Sequence, residues 1–205
     1  MANSDPKTAA IVLAAGASTR MGRPKQLLEI EGQALIVRTV NACLDAGLWP
    51  VVVVLGANFE LIKPALARLP VVCVVNAGWA EGMASSLRTG IAALGQFSRT
   101  VPAALICLCD QPGFNAQAAQ KLESALGAET EKGIAAARYD GRLGAPVIFR
   151  RKYFAELSAL TGDQGARVLL KSRAEEVVAV DLPELAVDID TPEDYAKANG
   201  GARCP

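Results

Sequence analysis

The sequence predicts a single-domain, mostly parallel α/β protein. Three observations carry this reading. Short runs rich in Val, Ile and Ala recur at residues 9–14, 51–55, 71–75, 103–109, 134–137, 146–149 and 177–180. Most are apolar throughout, as strands covered on both faces are. Longer amphipathic stretches separate them, and alternation of strands with helices is the pattern of a parallel sheet. The chain has 205 residues, 51% of them hydrophobic, which excludes a disordered chain. That length suits one domain burying roughly 70% of the surface its unfolded chain would expose.

Each element has its own signal. The run at 9–14 leads into a glycine-containing loop. Residues 33–46 read as a helix: Leu35, Ile36, Val40, Cys43 and Leu44 fall on one face, and Gly47 ends it. Residues 59–69 are helical but broken or restarted at Pro64. Residues 83–94, 115–126 and 164–171 complete the internal helices. The last helix spans 192–199, with Thr191 as N-cap, Pro192 at the first position and Glu193 and Asp194 in the first turn. The domain is expected over 9–199, with disordered ends at 1–8 and 200–205. Ligands in such sheets bind beyond the carboxyl ends of the strands, where the strand order reverses. Chemistry is therefore sought in the segments that follow strands.

Composition narrows the function. Lys and Arg number 21 and balance 21 Asp and Glu, so no general nucleic-acid or anionic-membrane binder is expected. The chain has no histidine, which removes Ser-His-Asp and Cys-His catalysis and imidazole metal ligands. Cysteines at 43, 73, 107, 109 and 204 form no CxxC pair and read as free thiols of a reducing, cytoplasmic protein. No apolar run reaches the ~18–20 residues that cross a bilayer. Lys7 followed by AAIVLAAGAS faintly resembles a signal peptide. Its apolar core is short and Gly-interrupted, and a first strand is the better reading.

The loop after the first run is LAAGASTRMGRPKQL, residues 13–27. Gly16 and Gly22, with Ala14, Ala15, Ala17 and Ser18 around them, let a ligand approach the backbone. Arg20, Arg23 and Lys25 add cations, and backbone N–H groups with cations suit a polyphosphate. The loop is neither GxxxxGK[ST] nor GxGxxG. A solvated basic turn is the bland alternative.

This segment resembles the LAAGxSxRMGxPK signature of nucleotidyltransferases and, more narrowly, of the molybdenum cofactor cytidylyltransferases. The related guanylyltransferases of molybdopterin usually carry Gly at the place of Ala15 and DK at Pro24-Lys25. NAGWAEGMASSLRTG (76–90), LCDQPGF (108–114), GAPVIF (144–149), TGDQGARVLL (161–170) and DIDTPEDY (188–195) follow in the family's order. The resemblance implies a Rossmann-like three-layer sandwich of the nucleotidyltransferase type. It implies transfer from CTP, or GTP, to the phosphate of a molybdopterin-type molecule, with Mg²⁺ and release of pyrophosphate. The product would pass to a molybdoenzyme or its chaperone. Arg20 and Lys25 are then the catalytic cations. Leu13, Ala14, Ala15, Gly16, Gly22, Lys25, Gly82, Ser85 and Ser86 are the nucleotide-binding residues.

From the residues alone, Asp110 is either a turn cap before Pro112 or a carboxylate at a strand tip able to bind Mg²⁺. The resemblance implies the metal role, and implies the same for Asp190, with Asp188 a weaker candidate. Ser85 and Ser86 open a helix, where hydroxyls cap the helix or hold a base or ribose. Arg88 follows as a nucleotide contact or a solvated residue, and Trp79 as packing or a pocket wall. Gly144, Ala145, Pro146, Asp163 and Arg167 are the expected acceptor-binding residues. The cytidylyltransferases usually carry His at the position of Ala145, so the departure bears on the acceptor. As bare sequence, Asp163 equally reads as a helix cap and Arg167 as solvated. Other readings are a sugar- or polyol-phosphate cytidylyltransferase, a nucleotide-binding sensor or cofactor chaperone without turnover, and a NAD-dependent oxidoreductase, the last disfavoured by the absent GxGxxG.

Overall fold

The computed structural model describes residues 7–97 and 100–200. Most of the two ends expected to be disordered, and Cys204, lie outside that range. Thr8 does not fit the expectation: it is buried, and its carbonyl accepts a hydrogen bond from the Trp49 N–H at 2.9 Å.

In chain order the strands are β1 (Ala9–Ala14), β2 (Glu29–Ile30), β3 (Gln33–Ala34), β4 (Val51–Leu55), β5 (Val72–Val75), β6 (Ala103–Leu108), β7 (Ile134–Tyr139), β8 (Arg142–Arg150) and β9 (Val177–Asp181). The α-helices are α1 (Leu35–Asp45), α2 (Phe59–Ile62), α3 (Met83–Phe97), α4 (Ala116–Ala128), α5 (Phe154–Ser158), α6 (Arg167–Ser172) and α7 (Pro192–Ala198). Seven strands form one sheet in the order β5-β4-β1-β6-β8-β7-β9. All of its pairings are parallel except those of β8, which runs against both β6 and β7. The reversal at β8 comes from Asp140-Gly141. Both residues have positive φ, 49° and 69°, which suits a two-residue hairpin turn between Tyr139 and Arg142.

Two apolar layers explain the sandwich. On one face Ala10, Val12, Val53, Leu105 and Cys107 pack with Ile36 and Val40 of α1 and Leu122 of α4. On the other, Ile11, Leu13, Val52, Val54 and Ile106 pack with Leu87 and Leu94 of α3, Leu157 of α5 and Leu169 of α6. The alternation along β1 is the period-2 geometry of a strand buried on both sides. Pro64 ends α2, and the chain continues as a 3₁₀ turn, Lys63–Leu66. Thr191 caps α7 in a capping box with Asp194. The short β2–β3 hairpin and α5 are absent from the sequence reading. Helix α6 starts at Arg167, three residues later than expected, because Gly162 and Gly165 keep the preceding segment in a loop.

A third, small cluster joins Met21, Leu28, Ile30, Leu35 and Ile189, with Tyr195 and Ala198 against it. It fastens the loop after β1, the hairpin and the segment before α7 into one unit at the carboxyl end of the sheet.

Candidate active site

Strands β1 and β6 are parallel neighbours. From β1 the chain proceeds to β4 and β5 on one side, and β6 begins the other side, so the strand order reverses between them. The loop after β1 turns at Ser18, held at φ 55°, and makes two 3₁₀ turns, Thr19–Met21 and Lys25–Leu27. The second turn brings Lys25 back over the strand ends. Its Nζ lies 2.6 Å from Asp110 Oδ2 and 2.8 Å from Asp190 Oδ1. Arg20 Nη2 lies 3.0 Å from Asp190 Oδ2. Asp110 directly follows Cys109 at the tip of β6, and its carbonyl accepts from the Ile189 N–H at 2.8 Å. Ile189 is fully buried in the third cluster, so Asp188 and Asp190 on either side are left to line a cavity. Residues 80 positions apart in sequence thus meet through one backbone bond and one apolar anchor.

The charges are strongly coupled. Burial works against the Lys25 ammonium, but Asp110 and then Asp190 outweigh it and hold its pKa above the ordinary lysine range. The Lys25 hydrogen bond holds Asp190 below the usual carboxylate range against partial burial, with Arg20 assisting. Asp188 moves the other way, pushed up by burial and then by Asp110. Burial, with Asp110 beside it, pushes the Cys109 thiol up to about 12, so this cysteine is no nucleophile at neutral pH.

Two cavities meet at these charges. The first, about 410 Å³, is walled by Leu13, Ala14, Ala15, Gly16 and Ala17 on one side and Trp79, Gly82, Met83 and Ser86 on the other. The second, about 550 Å³, runs past Ala145, Asp163, Gln164, Arg167, Asp188 and Asp190 over an apolar floor of Leu87, Ile106 and Leu170. Leu13, Lys25, Met83, Leu108, Asp110 and Asp163 border both. A molecule in each cavity would have its reacting end at Lys25.

Several expected residues lie elsewhere than the sequence reading placed them. Gly22 does not line either cavity; at φ 68° it closes the first 3₁₀ turn. Ser85 is buried and joined to Gly78 and Gly82 carbonyls and to Asn76, so its hydroxyl is spent on the fold; Ser86 faces the first cavity. Gly82 does line it, and its φ of 118° requires glycine. A Cβ there would sit 2.5 Å from Asp163 Oδ1 and from the Gly162 carbonyl oxygen. Asp163 does not cap α6, which has no side-chain cap. Gly144 and Pro146 support Ala145 without lining the cavities: a Cβ on Gly144 would lie 2.5 Å from the Tyr139 hydroxyl, which donates to the Ala145 carbonyl at 3.0 Å. Arg88 lines neither of these two cavities and is a partly exposed, paired residue. It grips Glu81 at 2.6 Å and donates to the Leu160 carbonyl at 2.8 Å, tying the walls of both cavities together.

Two polar residues escaped the sequence reading. Gln26 is buried, and its amide donates to the carbonyls of Ala14 at 3.0 Å and Gly16 at 2.9 Å. Asn76 donates to Ser85 at 2.8 Å and Ser86 at 3.1 Å and accepts from the Gly78 N–H. The quoted motifs contain both residues, but neither lies on a strand or helix period that would mark it as buried.

The acids fit a divalent cation shared with a ligand. Among the described residues no group of three His, Cys, Asp or Glu side chains could hold a metal ion alone. Mg²⁺ commonly takes one or two carboxylates and completes its shell with water and substrate phosphates. Asp110 and Asp190 converge on one point, now marked by the Lys25 ammonium, and Asp110 Oδ1 is buried without a partner. Among the described residues no helix is long and apolar enough to cross a membrane.

The family model described as MobA-like NTP transferase domain matches residues 10–185. Nicotine blue oxidoreductase of Paenarthrobacter nicotinovorans is 34% identical over 92% of this chain and 94% of its own. A probable molybdenum cofactor guanylyltransferase of Nostoc sp. is 26% identical over 93% of this chain and 90% of its own. The crystal structure of Rv0371c from Mycobacterium tuberculosis H37Rv has a TM-score of 0.80 at 30% identity, covering 95% of this chain and 98% of that one. A second structure of Rv0371c, a complex with manganese, has a TM-score of 0.76 at 30% identity over 96% of this chain and 100% of that one. The mostly parallel sheet with helices on both faces is therefore the α/β nucleotidyltransferase fold, and the chain belongs to the MobA-like NTP transferase family.

Proposed function

We propose that the protein transfers a cytidylyl group from CTP to the terminal phosphate of a molybdopterin-type cofactor, with Mg²⁺, and releases pyrophosphate. The observation that carries this reading is the position of Lys25, between Asp110 and Asp190 at the junction of two cavities. The first cavity takes the nucleotide and the second the acceptor. A phosphate nucleophile is already anionic near neutral pH, so a site without histidine lacks nothing as a base. What the reaction demands is alignment of two mutually repelling anions and compensation of charge. Lys25 and Arg20 supply two cations on the triphosphate side. Asp110 and Asp190 would hold the metal, which when bound neutralises phosphate charge. Asp163, which borders both cavities, and Arg167 face the acceptor, Arg167 as a cation of the second cavity besides Lys25.

The preference for CTP is supported by Ala15, whose methyl occupies space on the cavity wall that the glycine usual in the related guanylyltransferases leaves open. The guanylyltransferase names of relatives make GTP the alternative nucleotide. A second reading, an oxidoreductase acting on nicotine blue or a similar molecule, is favoured by one observation: the 34% identity to a relative named nicotine blue oxidoreductase. The product would be delivered to a molybdoenzyme or its chaperone.

The test offers the purified protein each of the four NTPs with Mg²⁺ and molybdopterin and measures pyrophosphate. Release with CTP above the others is expected. Preference for GTP overturns the nucleotide assignment. In a parallel assay that supplies NADH or NADPH with nicotine blue, oxidation of the nicotinamide by a protein that releases no pyrophosphate overturns the transfer.

A further inference from the structure

Gln26 is the most completely enclosed polar residue of the loop, at 1% exposure. Its side chain makes three hydrogen bonds. The amide nitrogen uses both hydrogens, one on the Ala14 carbonyl at 3.0 Å and one on the Gly16 carbonyl at 2.9 Å. The amide oxygen accepts from the Ser18 hydroxyl at 3.2 Å. The Ser18 hydroxyl in turn accepts from the Lys25 N–H at 3.1 Å. The two remaining carbonyls of this stretch are occupied as well: that of Ala15 by the Ala57 N–H at 3.1 Å, and that of Ala17 by the Asn58 amide at 3.4 Å.

The consequence follows from the planarity of the peptide bond. In a trans peptide, C=O and the next N–H point in opposite directions. With the Ala14 and Gly16 carbonyls drawn to Gln26, the N–H groups of Ala15 and Ala17 face away from it. Ala15, Gly16 and Ala17 line the first cavity. The Ala15 and Ala17 N–H groups, with one residue between them, are thereby turned to the same side, and backbone N–H groups that converge in this way can hold an anion.

We propose that Gln26 is a positioning residue for the nucleotide: it holds the loop so that the Ala15 and Ala17 N–H groups are presented to phosphate oxygens, with Ser18 fixing which way round its amide lies. The proposal rests on the nucleotide reading of the first cavity but needs no turnover to be tested. It names the ligand chemistry, a polyphosphate, and assigns the orienting work to a side chain at the edge of the first cavity whose three hydrogen bonds go to backbone and one hydroxyl.

The probe is inorganic tripolyphosphate, titrated calorimetrically and by ¹⁵N–¹H NMR. In the native protein the Ala15 and Ala17 amide signals shift on addition. Gln26→Met, which keeps the volume and removes the donors, lowers tripolyphosphate affinity on the order of tenfold or more. It also shrinks those amide shifts. Because a buried amide is being removed, Ser18→Ala provides the milder variant. It leaves Gln26 in place but frees its amide to turn, and weakens binding about three- to tenfold in the same direction. In turnover both variants raise the KM for CTP with the acceptor KM unchanged, which a general loosening of the fold would not do. Native tripolyphosphate affinity and native Ala15 and Ala17 shifts in a folded Gln26→Met, or in Ser18→Ala should the former not fold, overturn the proposal. Tripolyphosphate binding that depends on Gln26 in a protein that transfers no nucleotide would sink the enzymatic reading and leave this one standing.

Discussion

The two walls of the site are built differently. On the β5-β4-β1-β6 side every strand pair is parallel, and the wall is locked by side-chain hydrogen bonds: Gln26 to the carbonyls of Ala14 and Gly16, Asn58 to that of Ala17, and Asn76 to the serine hydroxyls of α3. On the β8-β7-β9 side β8 runs against both its neighbours, and the polar groups of the wall, Asp163 and Gln164 on a loop and Arg167 at the start of α6, stand exposed. That loop hangs on α3 by the Ala84 N–H to the Gly162 carbonyl at 3.1 Å and by Arg88 to the Leu160 carbonyl. A wall that must align a triphosphate gains from rigidity, because preorganised donors need no rearrangement in the transition state. A wall that selects a partner can be specified by a few replaceable side chains. Under the proposed reaction, chemistry and partner choice would thus be divided between the parallel side of the sheet and the side that begins at β8.

Lys25 tests the rigid wall most severely. Lys25→Met should lower the transfer rate on the order of 10²–10³, as loss of one preorganised charge does. It also leaves Asp110 and Asp190 without the cation they share, with Arg20 remaining on Asp190 alone. Divalent metal should then raise the melting temperature of Lys25→Met more than that of the native protein, read by thermal scans with metal added and chelated. Unchanged pyrophosphate release in the folded variant would remove the basis for the division between the walls.

The parts of this arrangement that the sequence made legible are those with a periodic or positional signal. The runs at 9–14 and 51–55 are strands to the residue, because continuous Val, Ile and Ala mark a strand buried on both faces. Asp110 is legible as a residue at the end of such a run, where its position alone fits a turn cap and a metal ligand equally. What escaped is polar and aperiodic. Gln26 and Asn76 are buried because loops close over them, and no spacing rule anticipates that. The antiparallel β8 was missed although Asp140-Gly141 is a strong hairpin signal. Lys25 was assigned to phosphate, and its pairing with both acids could not be read, since they follow it by 85 and 165 positions. The placement of Asp163 and Arg167 on the acceptor wall came through motif resemblance, and the structure adds that α6 leaves both outside its N-terminal capping.

Gly82 lies where the walls touch, so its replacement should blur their difference. Gly82→Ala combines a φ of 118° with a Cβ 2.5 Å from the Gly162 carbonyl oxygen and Asp163 Oδ1. The backbone cannot yield cheaply, and a cost of about 1–3 kcal/mol is expected. Urea denaturation reads that cost, while kinetics should show KM rising for nucleotide and acceptor together. Arg167 separates the walls instead. Arg167→Gln should raise the acceptor KM about tenfold, the value of a charge-assisted hydrogen bond reduced by exposure, and leave the KM for CTP alone. A rise in both constants would mean that Arg167 serves the triphosphate, and the division would have to be redrawn.

The finest test lies within the rigid wall. Ala15 is almost fully enclosed, and a Cβ on Gly56 would sit 2.5 Å from its carbonyl oxygen and 2.7 Å from its methyl, so the strand-end backbones of β1 and β4 are pressed together there. The Ala15 methyl therefore has little freedom to yield to a larger base. Ala15→Gly opens the space of one methyl in the first cavity and should shift the ratio of kcat/KM for GTP over CTP upward by about threefold. That is less than the full value of an enclosed methylene, because the cavity is open on one side and the new glycine adds backbone freedom. The Gln26 bonds to the carbonyls of Ala14 and Gly16 flank the change and should keep the phosphate end in place. The expected signature is thus a changed nucleotide preference at constant tripolyphosphate affinity. If affinity for tripolyphosphate falls with the preference, the base and phosphate ends of the rigid wall are not independent, and Ala15 acts through loop shape instead of cavity size.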